Sequence, residues 1–247
     1  MVDFSIVTAV KYSDKTILRT IKSVMNQNFK NYEHIVVCHF EDSKSSELLK
    51  NVNKKKINLI ISKDNSPYEA MNIGIKNSKG NFVTFLNADD IFKDKKVLEN
   101  VKKNITDFPN SDSFYGDIEI IKNKQIYRKW ISGEFAINKF FFGWHPPHPS
   151  LFIKRKVFKK NGYFDLNFNI AADYELMVRY FVVKKISSQY IKSTFVRMRH
   201  GGLSSKNIRV IFLSNFEALL AWKKNGYNFQ FYIFFIKPFL KIIQFLR

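Results

Sequence analysis

The stretch Asn81-Phe-Val-Thr-Phe-Leu-Asn-Ala-Asp-Asp90 joins an apolar run directly to a pair of carboxylates. Its first half favours a buried strand, and Gly80 before it is a typical turn residue. Such a strand presents Asp89 and Asp90 at the carboxyl edge of a sheet, where open α/β sheets bind ligands. Adjacent carboxylates repel unless solvent, a base or a cation compensates, and a divalent cation carrying a diphosphate would do so. A solvated turn that caps a helix explains the same residues equally well.

Strands and helices alternate through the first part of the chain. Apolar runs of strand length lie at Phe4–Val10, His34–Cys38, Ile57–Ser62 and Phe82–Leu86, with helical periodicity between them. This alternation predicts an α/β fold with a Rossmann-like, mostly parallel central sheet flanked by helices. We expect residues 1–110 to form a nucleotide-binding half.

The pattern changes after Asp107. A hairpin is predicted at Ser113–Ile121 and Gln125–Trp130, a short strand at Ser150–Ile153, a helix at Ala171–Val183, and a late strand at Ser193–Arg199. No internal repeat or long low-complexity linker separates residues 111–205 from the first half. We therefore expect the two halves to share one core.

Composition points to an anionic partner. The chain has 247 residues, with 41 Lys and Arg against 21 Asp and Glu, a formal net charge of +20. Nucleic acid, an anionic membrane face and phosphate-bearing substrates all fit that charge. Cys38 is the single cysteine, which excludes an internal disulfide and fits a reducing, cytoplasmic setting. No secretory signal is visible before the first strand.

Residues 206–247 form a basic, Phe-rich tail that we expect to be helical and amphipathic. Its apolar runs are shorter than the roughly 20 residues needed to span a bilayer. Phe, Tyr and Ile mixed with Lys and Arg suit a helix in the plane of a membrane interface. A terminal helix that docks on the protein's own core is the alternative.

A series of blocks within residues 4–205 resembles one known family. The blocks are Phe4-Ser5-Ile6-Val7-Thr8-Ala9-Val10, Thr20–Gln27, Tyr32–Val37, Asp64, Tyr68–Ile75, Phe85-Leu86-Asn87-Ala88-Asp89-Asp90, Tyr115-Gly116-Asp117, His148–Phe152, Gly162–Asp165 and Ala171–Leu176. Their order and spacing are similar to the inverting, GT-A-fold glycosyltransferases of family 2. Bacterial capsule, O-antigen and exopolysaccharide enzymes are examples of that family.

The resemblance implies a role for each of several residues. Asp89 would be the ligand to Mg²⁺ or Mn²⁺, and Asp173 the general base, although an Asp at a helix start is also a common N-cap. The nucleotide-sugar site would comprise Thr8, Val10, Asp64, Asn87 and Ala88. The acceptor site would comprise Asp117, His148 and Tyr174. Asp90 would support Asp89, and Arg197, Arg199 and His200 would meet an anionic group or remain solvated.

The histidine pair in residues 145–148 and the end of the second strand are two further candidate sites. His145 and His148 have a metal-like spacing, but the prolines around them forbid a helix, so we expect an acceptor-site loop rather than zinc. Family members usually carry Asp-Gly-Gly-Ser after the second strand, whereas this chain has Cys38-His39-Phe40-Glu41-Asp42-Ser43. Cys38 takes the usual Asp position, which leaves Glu41 or Asp42 to reach the ribose.

The resemblance implies an enzyme that moves a sugar from a nucleoside diphosphate sugar, with UDP favoured, to a lipid-linked glycan. Such an enzyme would work at the inner face of the cytoplasmic membrane, with the tail on the anionic surface. A catalytically inactive, nucleotide-sugar-binding relative is the alternative, because of Cys38. A nucleic-acid binder is the weaker one, since no nucleic-acid-binding module is recognised.

Overall fold

The computed structural model describes residues 2–13, 16–52, 57–201 and 208–228. The strands are β1 (Phe4–Val10), β2 (Tyr32–His39), β3 (Asn58–Ser62), β4 (Phe82–Phe85), β5 (Ile91–Phe92), β6 (Ser113–Lys122), β7 (Gln125–Trp130), β8 (Phe152–Lys154) and β9 (Ser188–Arg199). The helices are α1 (Thr16–Met25), α2 (Ser43–Lys50), α3 (Pro67–Asn77), α4 (Val97–Asp107), α5 (Ile137–Phe140), α6 (Arg155–Asn161), α7 (Ala172–Met177) and α8 (Ile208–Lys224). A 3₁₀ turn spans His148–Ser150, and a π-helical turn spans Val178–Val183.

One sheet runs through both halves of the chain in the order β3-β2-β1-β4-β8-β6-β9-β5, with β7 paired to β6. The segment β3-β2-β1-β4 is parallel throughout, which confirms the expectation for the first half. The second half is mixed, because β8 runs antiparallel to both β4 and β6 while β6 and β9 are parallel. The sheet as a whole is therefore mixed rather than mostly parallel.

The β6–β7 hairpin explains part of that mixture. Asn123 and Lys124, the two residues between the strands, have φ angles of 50° and 66°. A two-residue loop with both residues at positive φ matches the right-handed twist of antiparallel strands, and parallel strands cannot be joined so tightly. The hairpin predicted from the sequence is confirmed at this position.

Three boundaries in the second half differ from the predictions. The predicted helix Ala171–Val183 is α7 followed by the π-helical turn, in which Lys184 N donates to the carbonyl of Arg179, five residues back. The predicted strand Ser150–Ile153 begins as the 3₁₀ turn and pairs only from Phe152. The late strand begins at Ser188 rather than at the predicted Ser193. The prediction missed its first residues because polar side chains there obscure the strand pattern.

The core lies on both faces of the sheet. Phe4 and Ile6 of β1 join one buried cluster, whereas Val7 joins the other, as the alternation of side chains along a strand requires. Helix α3 packs closely on β1 at Gly74, where an added Cβ would lie 2.3 Å from Val7 Cγ1. This close packing brings α3 directly against the sheet at β1.

Helix α8 docks on the second half of the chain. Ala218, Ala221 and Trp222 are buried in the same cluster as Val7, on one side of the sheet. Within the described residues, no helix combines the length and the apolar character that crossing a membrane would require. Of the predicted interfacial tail, residues 206–207 and 229–247 lie outside the described residues.

Candidate active site

The turn after β4 places Asp89 and Asp90 in different environments. Asp89 is exposed, whereas Asp90 is buried. The Asp90 carboxylate accepts hydrogen bonds from Asn87 Nδ2 at 2.8 Å and from the backbone N of Arg199 at 3.0 Å. Thr20 Oγ1 donates to the Asp90 carbonyl at 2.7 Å. Asp90 therefore fixes the turn, and the amide nitrogen of Asn87 is engaged in holding it.

The electrostatics of this turn favour a cation. Burial, and then the negative charge of Asp89, raise the pKa of the Asp90 carboxyl to about 7. Within the described residues, no group of three or more His, Cys, Asp or Glu side chains could hold a metal ion by itself. One exposed carboxylate fits a hard cation that takes its other ligands from substrate phosphates and water, as Mg²⁺ commonly does.

Asp173 lies in the first turn of α7 and is held through one of its two oxygens. Oδ1 accepts the backbone N–H of Tyr174 at 2.8 Å, and the Tyr68 hydroxyl lies 3.3 Å from the same atom. The Tyr68 hydroxyl also donates to the Ile170 carbonyl at 2.6 Å. Burial, followed by the charge of Asp173, raises the Tyr68 pKa well above its ordinary value, so Tyr68 remains a donor.

His148 lies near Asp173 and packs against β4, the strand before the turn that carries Asp89. Its ring stacks on Phe85 of β4, with centroids 5.0 Å apart and planes at 22°. Burial lowers the His148 pKa, although the nearby charge of Asp173 raises it, and the imidazole is therefore neutral at pH 7. Its Nε2 is buried and has no hydrogen-bond partner in the described part of the chain. Asp173, His148 and Tyr68 thus form one group.

The predicted nucleotide residues gather at the neighbouring strand ends. Val10 and Cys38 belong to one buried cluster, and Ala88 packs against it. Burial, then the charges of Asp42 and Asp64, raise the pKa of the Cys38 thiol to about 11. Cys38 is therefore an apolar packing residue with two carboxylates close by.

The carboxylates of Asp42 and Asp64 differ in the hydrogen bonds that they already accept. Asp42 caps α2, since its Oδ1 accepts the backbone N–H of Ser45 at 3.0 Å. Asp64 Oδ2 accepts the Ser62 hydroxyl at 2.5 Å, and its side chain is buried at the end of β3. Asp42 Oδ2 is buried and has no hydrogen-bond partner among the described residues, whereas the exposed Glu41 accepts a hydrogen bond from the Tyr12 hydroxyl at 3.4 Å. Both therefore remain candidates for the ribose contact.

Thr8 has a structural side-chain contact. Its hydroxyl shares a hydrogen bond of 2.9 Å with Nε2 of His34, and both side chains are buried. Its side chain is thus directed at β2, which leaves its main chain for the predicted contact with a base. Burial lowers the His34 pKa from 6.5 to about 3, so the folded protein keeps this imidazole neutral.

The buried His34 predicts a pH dependence of stability. Between pH 6.5 and about 3 the unfolded chain binds a proton at His34 and the folded chain does not. The free energy of unfolding should therefore fall as the pH drops, by about 1.4 kcal/mol per pH unit from this group. Urea unfolding at pH 7 and pH 5 should give a loss about 2 kcal/mol larger for the native chain than for His34→Gln. Equal losses in the two proteins would contradict the prediction.

Two predicted acceptor residues are engaged inside the protein. Asp117 Oδ1 accepts the Ser132 backbone N–H at 2.8 Å and lies 3.0 Å from the Tyr190 hydroxyl. Burial raises the Asp117 pKa, although these hydrogen bonds oppose the shift. Tyr174 is buried, and its hydroxyl accepts Trp222 Nε1–H at 3.0 Å. Asp117 lies on β6 and Tyr174 directly follows Asp173, so both are close to the candidate site. Their polar atoms, however, bond to other parts of the protein and stabilise the fold.

Of the remaining candidates, one lies at the turn after β4 and three contact other side chains of the protein. Arg197 forms an ion pair with Glu119 at 2.9 Å, and the His200 ring packs against Tyr127 with centroids 4.7 Å apart. Arg199 is brought to the turn after β4 by its backbone contact with Asp90. His145 lies in the loop before the 3₁₀ turn and packs its ring against Tyr174, with centroids 5.3 Å apart.

The sequence profile described as Glycosyl transferase family 2 matches residues 5–171, more than half of the chain. The chain belongs to glycosyltransferase family 2. This family 2 chain is 26% identical over 178 residues to an uncharacterized glycosyltransferase of Methanocaldococcus jannaschii, covering 67% of this chain and 60% of that protein. Over 97 residues it is 32% identical to UDP-Glc:alpha-D-GlcNAc-diphosphoundecaprenol beta-1,3-glucosyltransferase WfaP of Escherichia coli, covering 38% of each protein.

The curated relatives are matched over only part of their length. An uncharacterized glycosyltransferase of Rickettsia bellii is 38% identical over 81 residues, which cover 32% of this chain and 12% of that protein. Among the similar solved structures is S. aureus TarS 1-349, with a TM-score of 0.70 and 16% identity, covering 94% of this chain and 69% of that chain. Its complex with UDP-GlcNAc has a TM-score of 0.66 and 18% identity, covering 87% of this chain and 66% of that chain. This likeness confirms the predicted GT-A fold.

The family 2 profile ends before Glu217, a residue that the sequence analysis did not single out. Glu217 is buried in α8 and accepts hydrogen bonds from the backbone N–H groups of Asn169, Ile170 and Ala171, which precede α7. One signal was available, because Glu217 is the single acidic residue between Gly201 and Arg247. An isolated acid in a basic segment needs a structural or functional partner.

Proposed function

We propose that this chain is a metal-dependent, inverting glycosyltransferase that moves a sugar from a nucleoside diphosphate sugar to a lipid-linked glycan. The observation that carries the proposal is the state of Asp173. Its Oδ1 is held by Tyr174 N–H and faces the Tyr68 hydroxyl, while its Oδ2 makes no hydrogen bond within the described residues. An anchored carboxylate with one unengaged oxygen suits a general base, which must lie within hydrogen-bond reach of its proton.

In the proposed reaction, that oxygen takes up one proton while the sugar moves from the diphosphate to the acceptor. Asp173 Oδ2 accepts the proton of the acceptor hydroxyl, and the hydroxyl oxygen forms a bond to the anomeric carbon. The bond from that carbon to the diphosphate oxygen breaks on the opposite face, and the diphosphate leaves with the electron pair. Asp89 would hold Mg²⁺ or Mn²⁺, which supplies charge neutralisation for the diphosphate when bound.

The remaining residues would bind the donor and exclude water. The donor side would be lined by the main chain of Thr8 and Val10 and by Asp64, Asn87 and Ala88. Neutral, buried His148 keeps the wall beside Asp173 apolar, which strengthens electrostatic interactions inside the site. A UDP-hexose or UDP-N-acetylhexosamine is the favoured donor. The name of WfaP includes UDP-Glc, and TarS has been solved in complex with UDP-GlcNAc.

The proposed acceptor is a lipid-linked saccharide in the assembly of a surface polysaccharide such as capsule or O-antigen. WfaP, by its name, acts on a diphosphoundecaprenol-linked sugar. In this chain the first half of α8 exposes large apolar side chains, of which Phe212 is 60% and Phe216 45% exposed. That apolar surface, together with the net charge of +20, suits an anionic membrane face. We therefore place the enzyme peripherally on the cytoplasmic face, with residues 206–247 nearest the lipid.

The membrane contact leads to a prediction for α8. Replacing Phe212 and Phe216 with Ser should weaken binding to vesicles of anionic lipid by about tenfold or more, because partial burial of each ring supplies about 1 kcal/mol. Co-sedimentation with phosphatidylglycerol vesicles measures the change. The matched control is Phe108→Ser, an exposed Phe after α4, which should bind like the native chain. Equal binding by all three proteins would contradict the proposed surface.

The function itself is tested in two stages. A thermal-shift screen of nucleotide sugars with and without Mn²⁺ should identify the donor, since a ligand that binds only the folded state raises the melting temperature. Turnover is then measured with the selected donor, Mn²⁺ and a membrane extract. A metal-dependent shift without any sugar transfer would favour the inactive, nucleotide-sugar-binding relative that Cys38 suggests. The absence of any shift would overturn the proposal.

A further inference from the structure

Glu217 forms a cap for a different helix from its own. Its side chain lies in α8, yet Oε1 accepts Asn169 N–H at 3.0 Å, and Oε2 accepts Ile170 N–H and Ala171 N–H, both at 2.8 Å. The side chain is only 4% exposed. Burial of a carboxylate is unfavourable unless charge-assisted hydrogen bonds satisfy it, and these three backbone donors do so.

Helix α7 needs such a cap because its own sequence lacks one. The residue at its N-cap is Ala171, which has no side-chain oxygen and makes no side-chain capping bond. Ser, Thr, Asp or Asn normally fills this position and satisfies the free N–H groups at a helix start. Glu217 takes over part of that role from α8, because it accepts the N–H of the N-cap residue Ala171 and of the two residues before it. These N–H groups lie just before Asp173.

The same segment is tied to Asp173 from the opposite side. Ile170 donates its N–H to Glu217 Oε2, and its carbonyl accepts the Tyr68 hydroxyl at 2.6 Å. That hydroxyl lies 3.3 Å from Asp173 Oδ1. A continuous set of contacts therefore runs from Glu217 through Ile170 and Tyr68 to the carboxylate of Asp173.

Two further contacts fix α8 against α7. Trp222 Nε1 donates to the Tyr174 hydroxyl at 3.0 Å, and Asn225 Nδ2 donates to Glu175 Oε1 at 3.1 Å. Tyr174 and Glu175 directly follow Asp173, so α8 holds the residues on both sides of it. All of these residues, in α8 and in the turn directly after it, lie beyond the family-matched segment 5–171.

We infer that Glu217 is a positioning residue for Asp173. The inference rests on the proposed role of Asp173 as the base. Removing the carboxylate releases residues 169–171 and lets the start of α7 shift, and a displacement of about 1 Å at a reacting group can cost about 10²-fold in rate. Glu217 touches the loop backbone rather than the donor pocket, so its loss should lower kcat and leave donor binding unchanged.

The test compares three variants at a temperature well below the lowest melting temperature. Glu217→Ala should lower kcat by about 10- to 100-fold, with the KM for the donor and the affinity for UDP and Mn²⁺ unchanged. Glu217→Gln retains an oxygen able to accept from Ile170 and Ala171, and it should restore most of kcat. Leu219→Ala is the control, because it removes a buried side chain from the same helix without touching these hydrogen bonds.

Hydrogen exchange separates this inference from the proposed function. In Glu217→Ala, the amides of residues 170–175 should lose protection, whereas Leu219→Ala and Glu217→Gln should keep it. Equal kcat losses in Glu217→Ala and Leu219→Ala, or unchanged protection in Glu217→Ala, would overturn the positioning role even if the native chain is fully active. An active Asp173→Asn variant would instead overturn the base assignment, while the exchange result would still report whether Glu217 holds the loop.

Discussion

Asp173→Asn is expected to lower kcat for sugar transfer by about 10²- to 10⁴-fold, the range typical of a lost general base. The amide oxygen of Asn can still accept the Tyr174 N–H that Oδ1 accepts now, so the start of α7 should keep its geometry. What is lost is the oxygen that takes the acceptor proton. Steady-state assays with saturating donor and acceptor measure kcat, and UDP affinity should remain that of the native chain.

The control for Asp173 is another carboxylate in the second half of the chain. Asp112 lies in the loop before β6, where it pairs with Lys154 at 3.9 Å. Asp112→Asn should leave kcat unchanged and alter stability by less than about 1 kcal/mol, because the ion pair is long and both side chains keep partial access to solvent. If Asp173→Asn were as active as Asp112→Asn, Asp173 would be a helix-start residue and not the base.

Asp89→Asn is expected to abolish the metal dependence of donor binding and of transfer. The substitution removes the exposed charge at the end of β4 and keeps a side chain of the same shape. Charge neutralisation of the diphosphate is worth several kcal/mol in such reactions, so kcat/KM should fall by about 10³-fold or more. Titration of UDP with and without Mn²⁺ should give a metal-dependent gain in affinity only in the native chain.

The matched variant for Asp89 is Asp107→Asn. Asp107 is also an exposed carboxylate and lies at the end of α4. Its loss should leave the Mn²⁺-dependent gain in UDP affinity intact. A similar gain in Asp89→Asn would remove Asp89 as the metal ligand and require another group at the diphosphate.

The sequence was informative wherever local periodicity decides the outcome. The strand Phe4–Val10 and the helix after it were predicted because their apolar residues repeat with the period of the element itself. The strand pairing of β8 could not be predicted, since three residues carry no period and their partners are distant in the chain. The mixed sheet of the second half follows from such long-range pairing.

The candidate site divides along the same line. The motif around Asp89 was visible because its residues are contiguous, and Asp173 was visible within a family-like block. No motif tells whether a polar atom faces the substrate or the fold, and Asp117 and Tyr174 turned out to be bonded to Tyr190 and Trp222. Glu217 escaped attention because its three partners lie more than forty positions earlier in the chain.

The position of Cys38 near the charges of Asp42 and Asp64 has a consequence for the charge balance at that strand end. An aspartate at that strand end would add a third negative charge to two that already act on the position. The thiol adds no such charge, because its raised pKa keeps it protonated near neutral pH. The same exchange would remove a carboxylate acceptor from the proposed ribose site, so residue 38 replaces a possible ligand contact with a lower density of negative charge at this strand end.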